Sequence, residues 1–282
     1  MKFLRLGAEG AEKPAVLAAD DTYRDLSGQL VDIDPATIGQ LPHLKWLDPL
    51  TLPVVPAGQR VGSCVGRPGK IICVGLNYAD HAAETGAPIP AEPILFMKAV
   101  TSLCGPNDDV FIPPASEKTD WEVELGIVIG RTARHVTEAE AMDHVAGFCV
   151  VNDVSERHYQ TERGGQWDKG KGYDHFAPVG PWLVTPDEVA DVHNLAMWLE
   201  VDGHRFQNGS TKTMIFGVPV LVSYISQFMT LSAGDIICTG TPPGVGLGQK
   251  PPLFLKAGQV MRLGIEGLGE QTQTTVTSPY GR

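Results

Sequence analysis

The chain has no Cys-x-x-Cys pair, no run of basic residues and no long uninterrupted apolar stretch. Its five cysteines, Cys64, Cys73, Cys104, Cys149 and Cys238, lie far apart. Most sit in apolar, strand-like runs such as Lys70-Ile-Ile-Cys-Val-Gly75, so they read as reduced core residues, not as a disulfide framework or a zinc site. Lysine and arginine number 22 against 33 aspartates and glutamates, and the net charge of −11 repels a phosphate backbone, which argues against nucleic acid as a partner. No segment approaches the roughly 18 apolar residues that suggest a membrane span. The first residues, Met1 to Val16, hold no apolar signal core, so the expectation is a cytoplasmic protein with no membrane partner.

With 32 glycines, 22 prolines and 20% charged residues in 282, the chain reads as loop-rich and mainly β with few helices, an α+β class. Its length suits one large core with a small appendage. Residues 1–65 hold short strand-like pieces, Lys2 to Leu6 and Ala15 to Ala18, and then the proline-rich run Leu52-Pro-Val-Val-Pro-Ala57; this predicts a small N-terminal β domain and linker. Residues 66–282 carry the longer apolar runs Ile71 to Gly75, Val123 to Ile129, Val145 to Val151, Leu195 to Val201 and Asp235 to Thr239, the candidate core strands of a second domain. Helices are expected after the capping box Thr137/Glu140, from Thr185-Pro-Asp-Glu188, and over about 216–229.

The run Thr119-Asp-Trp-Glu-Val-Glu-Leu-Gly-Ile-Val-Ile129 alternates, so a strand here places Glu122 and Glu124 on one face. Two neighbouring anions, if half-buried, call for a cation between them. The plainer alternative is a solvent-facing edge strand with two ordinary glutamates. A second apolar strand ends in Asn152-Asp153, and a third carboxylate at a strand end completes an all-oxygen set suited to Mg²⁺, Mn²⁺ or Ca²⁺. Asp153 as a turn or cap residue is the competing reading.

After the strand Ile71 to Gly75, residues 76–86 read as a short helix, capped by Asn77 and ended by Gly86. His81 and Glu84 then share a face, the arrangement that orients an imidazole as general base, although an exposed pair of this spacing is also common. The segment Cys238-Thr-Gly-Thr-Pro-Pro-Gly-Val-Gly-Leu-Gly248 is glycine-rich, but two prolines and the lack of a βαβ rhythm exclude a dinucleotide fold. Thr239, Thr241 and the loop amides are instead candidates for holding a carboxylate. Lys169 and Lys171 in a second glycine-rich stretch are candidates for neutralising an anionic substrate. Asn208-Gly-Ser210 matches a glycosylation acceptor and reads as a turn.

Together, Val74-Gly-Leu-Asn-Tyr-Ala-Asp-His81, Phe96-Met-Lys98, Trp121-Glu-Val-Glu-Leu125, Asn152-Asp-Val-Ser-Glu-Arg157, Lys169-Gly-Lys171 and Thr239-Gly-Thr-Pro-Pro-Gly-Val-Gly246 resemble the fumarylacetoacetate hydrolase family over about residues 70–270. The resemblance is to its smaller members, which act on acylpyruvates and sugar-derived acids. It implies a rolled, mixed β-sheet, a homodimer, and a metal held by Glu122, Glu124 and Asp153, with Asp80 left out of the ligand set. It also implies that His81 and Glu84 lie on a lid-like helix, that Lys171 and Gln160 face the substrate, that Thr241 binds its carboxylate, and that Lys98, near the site, is a further substrate-binding residue. The expected activity is Mg²⁺-dependent C–C hydrolysis of a 2-oxo acid such as an acylpyruvate or 2,4-diketo-3-deoxy-L-fuconate. Ureidoglycolate lyase, decarboxylase and isomerase activities are alternatives on the same site, and a non-catalytic scaffold is a more distant one.

Overall fold

The computed structural model describes residues 1–86 and 88–280. Its strands are β1 (Lys2–Leu6), β2 (Lys13–Leu17), β3 (Tyr23–Asp25), β4 (Ile71–Gly75), β5 (Ile94–Lys98), β6 (Leu103–Cys104), β7 (Val110–Ile112), β8 (Thr119–Asp120) and β9 (Val123–Ile129). They continue with β10 (Val145–Asn152), β11 (Ser155–Glu156), β12 (Ala177–Val184), β13 (Ala196–Val201), β14 (His204–Ser210), β15 (Ile236–Cys238), β16 (Val260–Ile265) and β17 (Gly269–Thr277). The α-helices are α1 (Ala79–Thr85), α2 (Glu138–Ala141), α3 (Asp168–Lys171) and α4 (Val218–Phe228). The chain is mainly β, as its composition suggests.

A ten-stranded mixed sheet runs in the order β3-β2-β1-β12-β10-β9-β15-β4-β5, with β6 beside β12; a five-stranded sheet runs β14-β13-β16-β17-β7. Both central strands β9 and β10 are buried along their whole length, which accounts for their near-continuous apolar sequence. Successive β9 side chains go to opposite cores. Val123, Leu125, Ile127 and Ile129 pack with Leu199, Leu263 and the helix α4 residues Leu221 and Ile225. Val128, with Cys149, Val151 and Ile236, packs on Leu26, Ile33 and Ile38 from the N-terminal part. The sheet and this second core therefore run across the sequence boundary near residue 65, joined by antiparallel pairing of β1 with β12.

Local sequence explains two of the helix ends. Thr137 and Glu140 form the capping box at α2, with the Thr137 amide donating to Glu140 at 3.0 Å. Gly86, at φ 68°, ends α1 in the left-handed region. The segment from Thr185 forms only a single tight turn, Pro186–Glu188. Asn77 does not cap α1. Its side chain donates to the Thr239 carbonyl at 2.8 Å and accepts from the Phe216 amide at 2.8 Å, so it ties the chain after β15 to the approach to α4. Tyr78 occupies the cap position without a side-chain cap bond. No helix among the described residues is long and apolar enough to cross a membrane.

Candidate active site

Four strands end at one edge of the large sheet: the C-terminal ends of β4, β10 and β15 and the N-terminal end of β9. The strand expected over 119–129 is interrupted at Trp121 and Glu122, between β8 and β9. Glu122 and Glu124 nonetheless converge, and the Asp153 amide donates to the Glu122 carbonyl at 2.9 Å, which brings the third carboxylate in from the end of β10. One oxygen from each of Glu122, Glu124 and Asp153 lies within 4.8 Å of the others. All three residues are buried, so the solvent-facing edge strand is excluded.

Lys171, the last residue of α3, reaches this cluster from the opposite side. Its Nζ donates to Glu122 Oε2 at 2.7 Å and Asp153 Oδ2 at 2.8 Å. Arg157 donates to Glu122 Oε1 at 2.6 Å, to Asp120 at 2.8 Å and to Gln160 at 3.1 Å. Burial acts to raise the Glu122 carboxyl, but Lys171 and Arg157 overcome it and hold the group well below the usual carboxylate range. Burial acts to lower the Lys171 ammonium, and Asp153 and Glu122 override it, so the group stays charged. Glu124 differs. Burial, and then the Asp153 carboxylate, push its acid well above the ordinary value. It forms no ion pair among the described residues, and its Oε2 accepts the Gly240 amide at 2.8 Å.

The residues therefore fit a divalent metal. Three buried carboxylates supply only oxygen donors, as hard cations prefer, and Glu124, unlike its neighbours, has no cation at ion-pair distance among the described residues.

A cavity of about 240 Å³ opens onto the cluster. Its polar wall includes His81, Glu122, Glu124, Gln160, Lys171 and Thr241. Its apolar wall is formed by Val74, Phe96, Trp167 and Leu247, with the Phe96 and Trp167 rings edge to face at 5.3 Å. Gln160 is placed by the helical turn His158–Glu162. Thr241 follows β15; its hydroxyl donates to the Val123 carbonyl at 2.8 Å and accepts from Gln207 at 2.8 Å. His81 Nδ1 lies 3.0 Å from Glu84 Oε2, so the two form the expected pair, and His81 is buried at the cavity wall.

Two residues sit differently from the sequence reading. Lys98 does not line the cavity; it is buried behind Asp153, donating to Asp153 Oδ1 at 2.6 Å and to the Val154 carbonyl at 3.0 Å. Its geometry fits orienting Asp153, not touching substrate. Lys169 points away, to the Arg163 carbonyl at 2.6 Å, on the exposed side of α3. Asp80 accepts from Thr213 and lies outside the acidic cluster. The sequence reading assigned no role to Arg157 or Asp120. The signal available was their place inside the quoted motifs, but their partnership spans 37 residues.

The family model for the fumarylacetoacetate hydrolase C-terminal domain matches residues 70–276. The chain belongs to the fumarylacetoacetate hydrolase family. A Burkholderia ambifaria protein, named only as a hydrolase, is 61% identical over 98% of this chain and 99% of its own. Fumarylacetoacetate hydrolase from Exiguobacterium antarcticum superposes with a TM-score of 0.88 at 34% identity, covering 99% of this chain and 100% of that one. Maleylpyruvate hydrolase from Sphingobium, solved with manganese(II) and pyruvate, gives 0.82 at 29% identity over 99% and 100%. The family also holds isomerases, among them the 2-hydroxyhepta-2,4-diene-1,7-dioate isomerase of Mycobacterium marinum, with a TM-score of 0.75 at 31% identity over 99% of each chain.

Proposed function

We propose that this protein is a Mg²⁺-dependent hydrolase, also served by Mn²⁺, that cleaves the C3–C4 bond of a small 2,4-diketo acid to give pyruvate and a carboxylic acid. The observation that carries this reading is the buried Glu122/Glu124/Asp153 cluster, crossed by Lys171, at a cavity whose wall holds His81, itself bound by Glu84. Glu122, Glu124 and Asp153 would hold the cation, which when bound supplies Lewis-acid polarisation of the 2-oxo group.

His81, oriented by Glu84, takes a proton from a water molecule, whose oxygen adds to the C4 carbonyl. The C3–C4 electron pair leaves on C3, and the released acid carries the water oxygen. Lys171, held as an ammonium by Asp153 and Glu122, stabilises the charge on the departing pyruvate enolate. Protonation at C3 by His81 or Lys171 completes pyruvate. Gln160 and the Thr241 main-chain amide hold the substrate carboxylate, the Thr241 hydroxyl being taken by Val123 and Gln207, and Lys98 keeps Asp153 in position.

The apolar wall of Phe96, Trp167 and Leu247 favours a short apolar or unsaturated acyl tail over the polyol tail of 2,4-diketo-3-deoxy-L-fuconate. A second reading, isomerisation of a 2-hydroxy-2,4-dienedioate, is supported by the isomerase names of solved relatives and by the same base beside the same carboxylates. We also propose a homodimer; the exposed Ile94, Met97 and Val100 on and beside the edge strand β5 support it, and light scattering tests it.

The test is product identification by proton NMR with Mg²⁺ present, using acetylpyruvate, maleylpyruvate, the sugar acid, a 2-hydroxy-2,4-dienedioate and ureidoglycolate. Pyruvate with the matching acid is the expected result. Double-bond migration without cleavage would favour the isomerase reading, and glyoxylate from ureidoglycolate alone would replace both.

A further inference from the structure

We propose that Asp120 is a positioning residue that couples the two sides of the active site through the loop Gly244–Gly248. The coupling to catalysis rests on the reading above of His81, Glu84 and the carboxylate cluster; the physical coupling does not.

Asp120 is fully buried, and its two oxygens meet four donors. Oδ2 accepts from Arg157 Nε at 2.8 Å and from the Leu247 amide at 3.0 Å. Oδ1 accepts from the Trp121 amide at 2.8 Å and the Gly246 amide at 2.6 Å. One carboxylate thus fixes a guanidinium and a loop together. The remaining nitrogens of Arg157 hold Glu122 and Gln160, so its position sets one carboxylate of the cluster and one amide of the cavity wall.

The far end of the same loop is held by the other working pair. The Gly244 amide donates to Glu84 Oε1 at 3.1 Å, and the second oxygen of Glu84 holds His81. The loop is therefore gripped by two carboxylates, each of which also orients a side chain of the site. Glycine is what permits the grip. Gly244 has φ +107°, and a Cβ there would fall 2.0 Å from the Phe206 carbonyl oxygen. A Cβ on Gly246 would lie 2.7 Å from Asp120 Oδ1, and one on Gly248 would lie 2.9 Å from the Glu84 carboxyl carbon. Leu247, between these contacts, forms part of the cavity wall. A shift at either carboxylate moves the loop, and the loop carries the shift to the other.

The experiment is hydrogen exchange on the full-length, metal-loaded protein, with Asp120→Asn and Glu84→Gln compared with wild type. Asp120→Asn should speed exchange by about fivefold or more in peptides covering 244–248 and also in those covering 79–86, which Asp120 does not contact. Glu84→Gln, on a partly exposed helix, should speed exchange around Gly246 and Leu247, because a coupling is reciprocal. A rise confined to 244–248 in Asp120→Asn, or no change at 246–247 in Glu84→Gln, would overturn the coupling whatever substrate the enzyme takes. If Asp120→Asn does not fold, the Glu84→Gln arm decides alone. With an active substrate, the double variant should lose less kcat than the product of the single losses, and strict multiplicativity would overturn the catalytic part. Inactivity of the wild-type protein on every 2-oxo acid would count against the proposed function and leave the exchange result standing.

Discussion

Glu84 Oε2 lies 3.0 Å from His81 Nδ1, one helical turn away along α1. A carboxylate in this place fixes the ring orientation and the tautomer. Replacing His81 by Ala should lower kcat by about 10²–10⁴-fold, the range for loss of a positioned general base. Glu84→Gln should lower it by less. Calorimetric Mn²⁺ affinity should stay at the wild-type level in the His81 variant, since His81 does not belong to the acidic cluster. Parallel loss of kcat and metal affinity would contradict the assignment.

Lys171 holds Glu122 and Asp153 together at 2.7 and 2.8 Å in a fully buried setting. Lys171→Met should therefore reduce stability by about 1–3 kcal/mol in EDTA, because Glu122 and Asp153 each lose one partner while Arg157 and Lys98 still hold them. Saturating Mn²⁺ should restore more stability to this variant than it adds to wild type, a cation replacing the missing ammonium. Urea denaturation with and without metal checks this, and equal metal stabilisation of both proteins would contradict it.

Much of this centre was legible in the sequence, for reasons that individual residues make plain. The strands Ile71–Gly75 and Val123–Ile129 were readable because both are short apolar runs bounded by turn residues or charge. The convergence of Glu122 and Glu124 followed from the two-residue period of an extended chain, which survives the break before Val123. The break itself was not readable. It is accompanied by the bonds of Asp120 to Arg157 and to the Gly246 and Leu247 amides, partners 37, 126 and 127 residues away. Asn77 looked like a helix cap because Asn favours caps, but a tertiary contact with Phe216 and Thr239 took its side chain instead. Lys98 matched a family motif, yet only its bonds to Asp153 and the Val154 carbonyl, 55 and 56 residues away, decide which side of Asp153 it occupies.

The cavity wall is sensitive to a single methyl group. A Cβ on Gly75 would fall 2.6 Å from Cζ3 of Trp167, so Gly75→Ala must displace the indole that packs against Phe96. Overpacking of this kind costs about 1–3 kcal/mol. The expected outcome is a KM raised several-fold with a smaller change in kcat, measured by steady-state kinetics. An unchanged KM would show that Trp167 does not shape the substrate space.

Acid stability should depend on Asp34, far from the site. Burial works to raise its carboxyl, but hydrogen bonds from the Ala36 amide, Arg67 and Thr37 hold it below the ordinary aspartate value. A depressed carboxyl adds stability that is present above the unfolded value and is lost as pH falls through the lower folded value. Asp34→Asn should thus be less stable than wild type at neutral pH, with the gap closing as pH drops below 3.8. Thermal melts across this range check it, and a gap that widens on acidification would contradict the sign.

The central claim is that the carboxylate cluster at the cavity floor makes C–C cleavage depend on a divalent cation. The direct measurement is the rate of pyruvate release from an acylpyruvate by wild-type protein as purified, after EDTA, after Mg²⁺ or Mn²⁺ is restored, and by Glu124→Gln. Loss of activity in EDTA, recovery with either metal, and a Glu124→Gln variant that needs far more metal for the same rate are the expected results. Pyruvate release that persists undiminished in EDTA would contradict the account.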